Sequence, residues 1–183
     1  MNRWGILIFD DQRKFSGPQG ALPRFLDTFI RGASDYGMTI SPNPIVAYGN
    51  FNAPLPAVHR ACEELYNRVA RERGGTPELL MFFIKGKSPI MYEHIKNYCD
   101  TIRGVQSQAV DSFNAIKKGG DRAFHANLLL KVNSKLGGTT VTLSNPITNS
   151  QTPTVCIPLS WFVYSSSLYM FVLLYIVWIC GID

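Results

Sequence analysis

Glu78-Leu-Leu-Met-Phe-Phe-Ile-Lys85, followed by Gly86-Lys87-Ser88-Pro89-Ile90-Met91, is the stretch that decides the fold. An apolar run of this length, closed by a lysine and a glycine, suits a short strand buried on both faces. Gly74-Gly75-Thr76-Pro77 ends the element before it. That element, Ala57 to Arg73, places Val58, Cys62, Leu65, Tyr66 and Val69 on one side of a helix and interleaved acids and bases on the other. Upstream, Gly5-Ile-Leu-Ile-Phe9 is a second buried-strand run, and Leu22, Phe25, Leu26, Phe29 and Ile30 recur at helical spacing up to Tyr36-Gly37. Thr39 to Phe51 holds Ile40, Ile45 and Val46 among prolines, as an irregular strand at a sheet edge would. Strands alternating with helices of this length predict an α/β fold with a mainly parallel sheet flanked by helices, whose ligands gather at the C-terminal ends of the strands. The loop after Ile84 lies at such an end.

Beyond that loop, three polar pairs share one spacing. Tyr92 and Lys96, Asn127 and Lys131, and Lys131 and Lys135 are each four residues apart, which puts both members on one helix face. Two helices could therefore bring cations and a phenol to a common point. Ammonium groups attract phosphate, and amide and hydroxyl donors fix its oxygens. Lysines on amphipathic helices are also the ordinary solvated face, and the spacing alone leaves both readings open.

Composition narrows the classes. The chain has 183 residues, 46% of them hydrophobic, enough for one domain with a real core. Its formal charge of +5 is mildly basic. Between Leu143 and the terminal Asp183 there is no charged residue or histidine, so the basic character belongs to the front part. Cys62, Cys99, Cys156 and Cys180 show neither a paired spacing nor a nearby histidine, which argues against a zinc site and for reduced, structural thiols in a cytoplasmic protein. Asp10-Asp11 ends the first strand without a second acidic cluster, and a loop or helix-capping role is expected. Neither G-x-G-x-x-G nor a Walker loop is present, and no nucleophile, base and acid are arranged together, so an enzyme is not expected. No cofactor is implied.

The order strand, Gly-Lys-Ser-Pro loop, Tyr-x-x-x-Lys, Ser107-Gln108, then Leu130-Lys131-Val132-Asn133-Ser134-Lys135-Leu136-Gly137-Gly138 resembles the MID domain of eukaryotic Argonaute proteins and its connection into their PIWI domain. The resemblance covers roughly Trp4 to Thr142. It implies a Rossmann-like fold that anchors the 5′ phosphate of a small guide RNA in gene silencing. By position, Tyr92 corresponds to the residue that stacks on the first guide base and lends its hydroxyl to the phosphate. Lys96, Gln108, Lys131 and Lys135 correspond to the other phosphate ligands, and Asn127 to a contact with a nearby backbone phosphate. Gly86, Lys87, Ser88, Pro89, Ile90 and Met91 correspond to the base-recognition loop, one residue longer than the family's usual Gly-Lys-Thr-Pro-Val-Tyr pattern. Ala109 stands where the family commonly has cysteine. An unpaired base can be stacked and read at its edge in this way. The implied partners are the guide RNA and silencing-complex proteins.

The acidic tetrad of a PIWI domain has no counterpart here, and two-metal hydrolysis needs clustered carboxylates, so slicing is not expected. The resulting organisation is a MID-like domain over 1–143, a polar linker over 144–154 and an apolar tail over 155–183. The tail is just long enough to span a bilayer, giving the alternative of a membrane-tethered interaction protein. Its alien composition after an abrupt end of the resemblance equally suits a gene-model artefact.

Overall fold

The computed structural model describes residues 1–86 and 88–139. The linker, the tail, Lys87, Cys156 and Cys180 lie outside the described residues. Four strands form one sheet in the order β2-β1-β3-β4, every pairing parallel: β1 (Trp4–Phe9), β2 (Ile45–Tyr48), β3 (Leu79–Ile84) and β4 (Ser107–Asp111). The two central strands, β1 and β3, are the two apolar runs, and every residue in them is buried.

Successive side chains of a strand point to opposite faces, so an unbroken apolar run supplies two cores at once. Trp4, Ile6, Ile8, Leu79, Met81 and Phe83 face one layer, where α2 (Ala21–Asp35), α5 (Ser112–Lys117) and α6 (Arg122–Lys135) cover them. Leu7, Phe9, Leu80, Phe82 and Ile84 face the other, covered by α3 (Leu55–Arg73) and α4 (Pro89–Lys96). At Gly5 a Cβ would lie 2.8 Å from Val69 Cγ2 and 2.9 Å from Leu65 Cδ1, so the missing side chain is what lets α3 approach β1.

The edge strand β2 and the helices α2 and α3 fall where the spacing puts them. Asp11 caps the short helix α1 (Gln12–Phe15), its Oδ1 accepting from the Arg13 amide at 3.0 Å. Strand β4 and helix α5 are additions to the sequence reading, which left that region without an element. Cys62 and Cys99 are buried free thiols, and burial pushes both up, Cys99 to about 12. Among the described residues no helix is long and apolar enough to cross a membrane.

His125 is buried on α6 with its ring centroid 4.7 Å from that of Phe25, and its Nε2 lies 2.9 Å from the Gly119 carbonyl oxygen. Burial holds its pKa below the ordinary value of 6.5. The unfolded chain therefore binds this proton more readily than the folded one. The stabilisation is complete above about pH 6.5 and is lost as pH falls toward the folded value. The urea midpoint should drop between pH 7 and pH 5, and a His125→Phe variant should lose that part of the slope.

Candidate functional site

The C-terminal end of β3 and the whole length of β4, from Ser107 at its start to Asp111 at its end, set the site. After β3 the chain turns through Gly86, at a φ of 66° that favours glycine, and starts α4 at once. Ser88 is the N-cap, its Oγ accepting from the Met91 amide at 3.3 Å, and Pro89 occupies the first turn, where its missing N–H costs nothing. The expected base-recognition loop Gly86 to Met91 is therefore shorter than the sequence suggests. Pro89, Ile90 and Met91 belong to the helix, and Met91 is a buried core residue.

Beyond Lys96 the helix widens into a π-helical segment, Asn97–Arg103, before β4. Glu63 on α3 clips this segment. Its Oε2 accepts from the Tyr98 hydroxyl at 2.7 Å and from Arg103 Nε at 2.8 Å, and its Oε1 accepts from Arg103 Nη2. The Arg103 guanidinium holds the Glu63 carboxyl below its usual range. Wide helical turns of this kind are rare and recur at functional sites.

Three of the predicted phosphate ligands come together on β4. Lys96 Nζ donates to Ser107 Oγ at 3.0 Å and to Asp100 Oδ1 at 3.0 Å. Lys135 Nζ donates to the Ser107 carbonyl at 2.6 Å and to Gln108 Oε1 at 2.8 Å. Gln108 is buried and its Nε2 donates to the Ala109 carbonyl at 2.7 Å. Lys131, one turn before Lys135, is exposed. Burial lowers the Lys135 ammonium's pKa most, and the charges of Lys96 and Lys131 lower it further, while Asp100 acts the other way. Several cations held this close present an anion site, partly offset by the Asp100 carboxylate.

An ordinary solvated helix face would leave both Lys131 and Lys135 in solvent. Lys131 is exposed; Lys135 is half-buried, because the last turn of α6 packs against β4 and its ammonium reaches acceptors on the strand. Asn127 is exposed on α6, a further turn before Lys131, and joins none of these hydrogen bonds among the described residues. Asp100 and Ser107 complete the cluster and were not singled out from the sequence. The signal was there for Asp100, four residues after Lys96 and hence within its reach. Ser107 acts partly through its backbone carbonyl, which no side-chain pattern reveals.

Further along β4, from Ala109 to Asp111, lies a recess of about 300 Å³, walled by Ile84, Gly86, Ser88, Pro89 and Tyr92 on one side and Ala109, Val110 and Asp111 on the other. Tyr92 is 49% exposed, so its ring is open to a planar partner. Asp111 is engaged as the cap of α5, accepting from the Phe113 amide at 3.2 Å and from Asn114 Nδ2 at 3.1 Å. A larger recess, about 510 Å³, lies between α2 and the start of α6 near Arg31, Arg122 and His125. Arg122 and Lys135 stand at opposite ends of α6, about 20 Å apart at 1.5 Å per residue, so this second recess is separate from the lysine cluster.

Comparison with known proteins agrees with this architecture. The Piwi domain family matches residues 79–160. The Schizosaccharomyces pombe protein argonaute is 29% identical over 153 residues, covering 81% of this chain and 18% of the relative, so the chain spans less than a fifth of that protein's length. The N. crassa QDE-2 AGO MID domain superposes with a TM-score of 0.57 at 18% identity, covering 73% of this chain and 97% of that one. Kluyveromyces polysporus Argonaute, solved with a guide RNA, gives a TM-score of 0.53 at 19% identity over 75% of this chain and 15% of its own. Its parallel sheet and flanking helices are the fold of the solved Argonaute MID domain, and its sequence is similar to that of Argonaute proteins over most of its length.

Proposed function

We propose that this chain binds the phosphorylated 5′ end of a small guide RNA. The observation that carries the proposal is the meeting of Lys96 and Lys135 on Ser107 and Gln108, with a recess walled by an exposed tyrosine further along β4. Each ammonium has three donors, and each spends two on protein acceptors. Among the described residues one donor on each remains for an anion, and the exposed Lys131 adds a charge from one turn away. The first base would stack on Tyr92 within the recess, with the backbone around Gly86 and Ser88 at its edge. Stacking of this kind is worth about 1–3 kcal/mol per base. That the Kluyveromyces polysporus Argonaute was solved with a guide RNA supports the assignment. Asn127 would serve a following backbone phosphate. No slicing is assigned to the chain, since two-metal hydrolysis draws on clustered carboxylates.

Calorimetric titration of the 183-residue chain with UMP, AMP and the matching nucleosides tests this. Saturable binding of the monophosphates, with nucleosides at least tenfold weaker, is the expected outcome. Equal binding of phosphorylated and unphosphorylated forms would overturn it.

A further inference from the structure

Among the described residues, Ser107 is the one that accepts hydrogen bonds from both lysines. Its hydroxyl accepts from Lys96 Nζ at 3.0 Å and its carbonyl accepts from Lys135 Nζ at 2.6 Å. The two ammoniums reach it from different elements, Lys96 from the end of α4 and Lys135 from the end of α6. Ser107 itself is 3% exposed and sits on β4, in register with Leu80 of the central strand, so its position is set by the sheet and not by solvent.

A lysine side chain has four rotatable bonds and ordinarily samples many rotamers, and ordering one costs up to about 2 kcal/mol. Lys96 already has this freedom removed by two acceptors, Ser107 Oγ and the Asp100 carboxylate at 2.9 Å from its other oxygen. Asp100 is half exposed, and a carboxylate in contact with water is a mobile, screened partner. The buried hydroxyl is the fixed one. We propose that Ser107 is a positioning residue of the anion site: its side chain orients the Lys96 ammonium, and its carbonyl sets the Lys135 ammonium beside it, so that the free donor of each meets one phosphate. This inference rests on the 5′-phosphate reading and goes beyond it, because Ser107 need not touch the ligand.

The two functions of Ser107 separate by mutation. Ser107→Ala removes the hydroxyl and keeps the carbonyl, so Lys96 is released while Lys135 is held. Affinity of the 183-residue chain for UMP should fall about five- to tenfold, the scale of one hydrogen bond to a charged group made less favourable by disorder. Affinity for uridine should not change. Ser107→Thr, which keeps the hydroxyl, should restore most of the loss. In a Lys96→Ala background, Ser107→Ala should have no further effect on UMP, because the group it orients is gone. A purely structural role would instead weaken both ligands and persist in that background.

If wild type prefers UMP to uridine but Ser107→Ala binds UMP as wild type does, or its loss persists without Lys96, the positioning role is overturned and the phosphate reading stands. If wild type shows no preference for UMP, both fall together. Should Ser107→Ala lower the melting temperature, Ser107→Thr measured against Lys96→Ala decides: a threonine variant that matches wild type only when Lys96 is present supports the role, and one that loses UMP affinity despite its hydroxyl overturns it.

Discussion

Lys135→Ala should remove most of the preference for a phosphorylated nucleotide, lowering UMP affinity about ten- to a hundredfold while uridine is bound as before. A hydrogen bond to a charged group is worth about 1.5–3 kcal/mol, and here the lost group is a half-buried ammonium fixed on Ser107 and Gln108. The variant leaves the Ser107 carbonyl and Gln108 Oε1 without their donor, so a modest loss of stability accompanies it. Lys131→Ala is the control. Its side chain is exposed, and such charges contribute about 1 kcal/mol or less, so its effect on UMP should be several-fold smaller and should fade with added salt. If Lys131→Ala costs more than Lys135→Ala, the phosphate is held further from β4 than proposed here.

The largest effect on stability should come from Phe83→Ala. Phe83 is fully buried on the central strand β3, 5.0 Å from the Phe25 ring edge-on and 5.6 Å from the Phe15 ring. It joins α1 and α2 to the sheet. Removing a buried phenyl side chain costs about 3–5 kcal/mol, a large fraction of the stability of an ordinary domain of this size. A urea melt should show the midpoint collapsing with little change in slope. Phe113→Ala, on the exposed side of α5, should shift it by well under 1 kcal/mol. Because Phe83 does not line the recess, loss of folded protein should account for most of any fall in ligand binding by a Phe83→Ala sample.

The sheet was legible because its central strands are written as continuous apolar runs, and the helices because their apolar residues recur at helical spacing. Strand β4 was not, for a physical reason. Ser107-Gln108-Ala109-Val110-Asp111 lies at an edge, with part of its length given to polar contacts, so it has neither an apolar run nor a clean alternation. Helix α6 shows the same effect. Its buried residues His125, Leu128, Leu129 and Val132 are mixed with an exposed Leu130, which blurs the apolar stripe.

For the site, equal spacings put Tyr92 with Lys96 on one face of α4 and Lys131 with Lys135 on one face of α6, and the resemblance supplied their expected roles. Spacing along one helix says nothing of what that helix packs against, and the packing of the last turn of α6 on β4 is what half-buries Lys135 while leaving Lys131 in water. The loop was over-read for a related reason: a serine cap followed by proline begins a helix, and the Ser88-Pro89 pair carries that signal. The extra residue relative to the usual family pattern falls in this helical start.

The cluster on β4 also closes an exposed margin. In a parallel ladder the backbone groups of successive residues point alternately to the two sides of the strand. Since the Gln106 carbonyl accepts from the Leu80 amide of β3, the carbonyls of Ser107 and Ala109 point the other way, to the open side of the sheet. Those are the two carbonyls occupied by Lys135 Nζ and Gln108 Nε2. An incoming strand from another molecule would find both acceptors taken and an ammonium in its path, so the groups assigned to hold an RNA end also discourage strand-to-strand aggregation at this border.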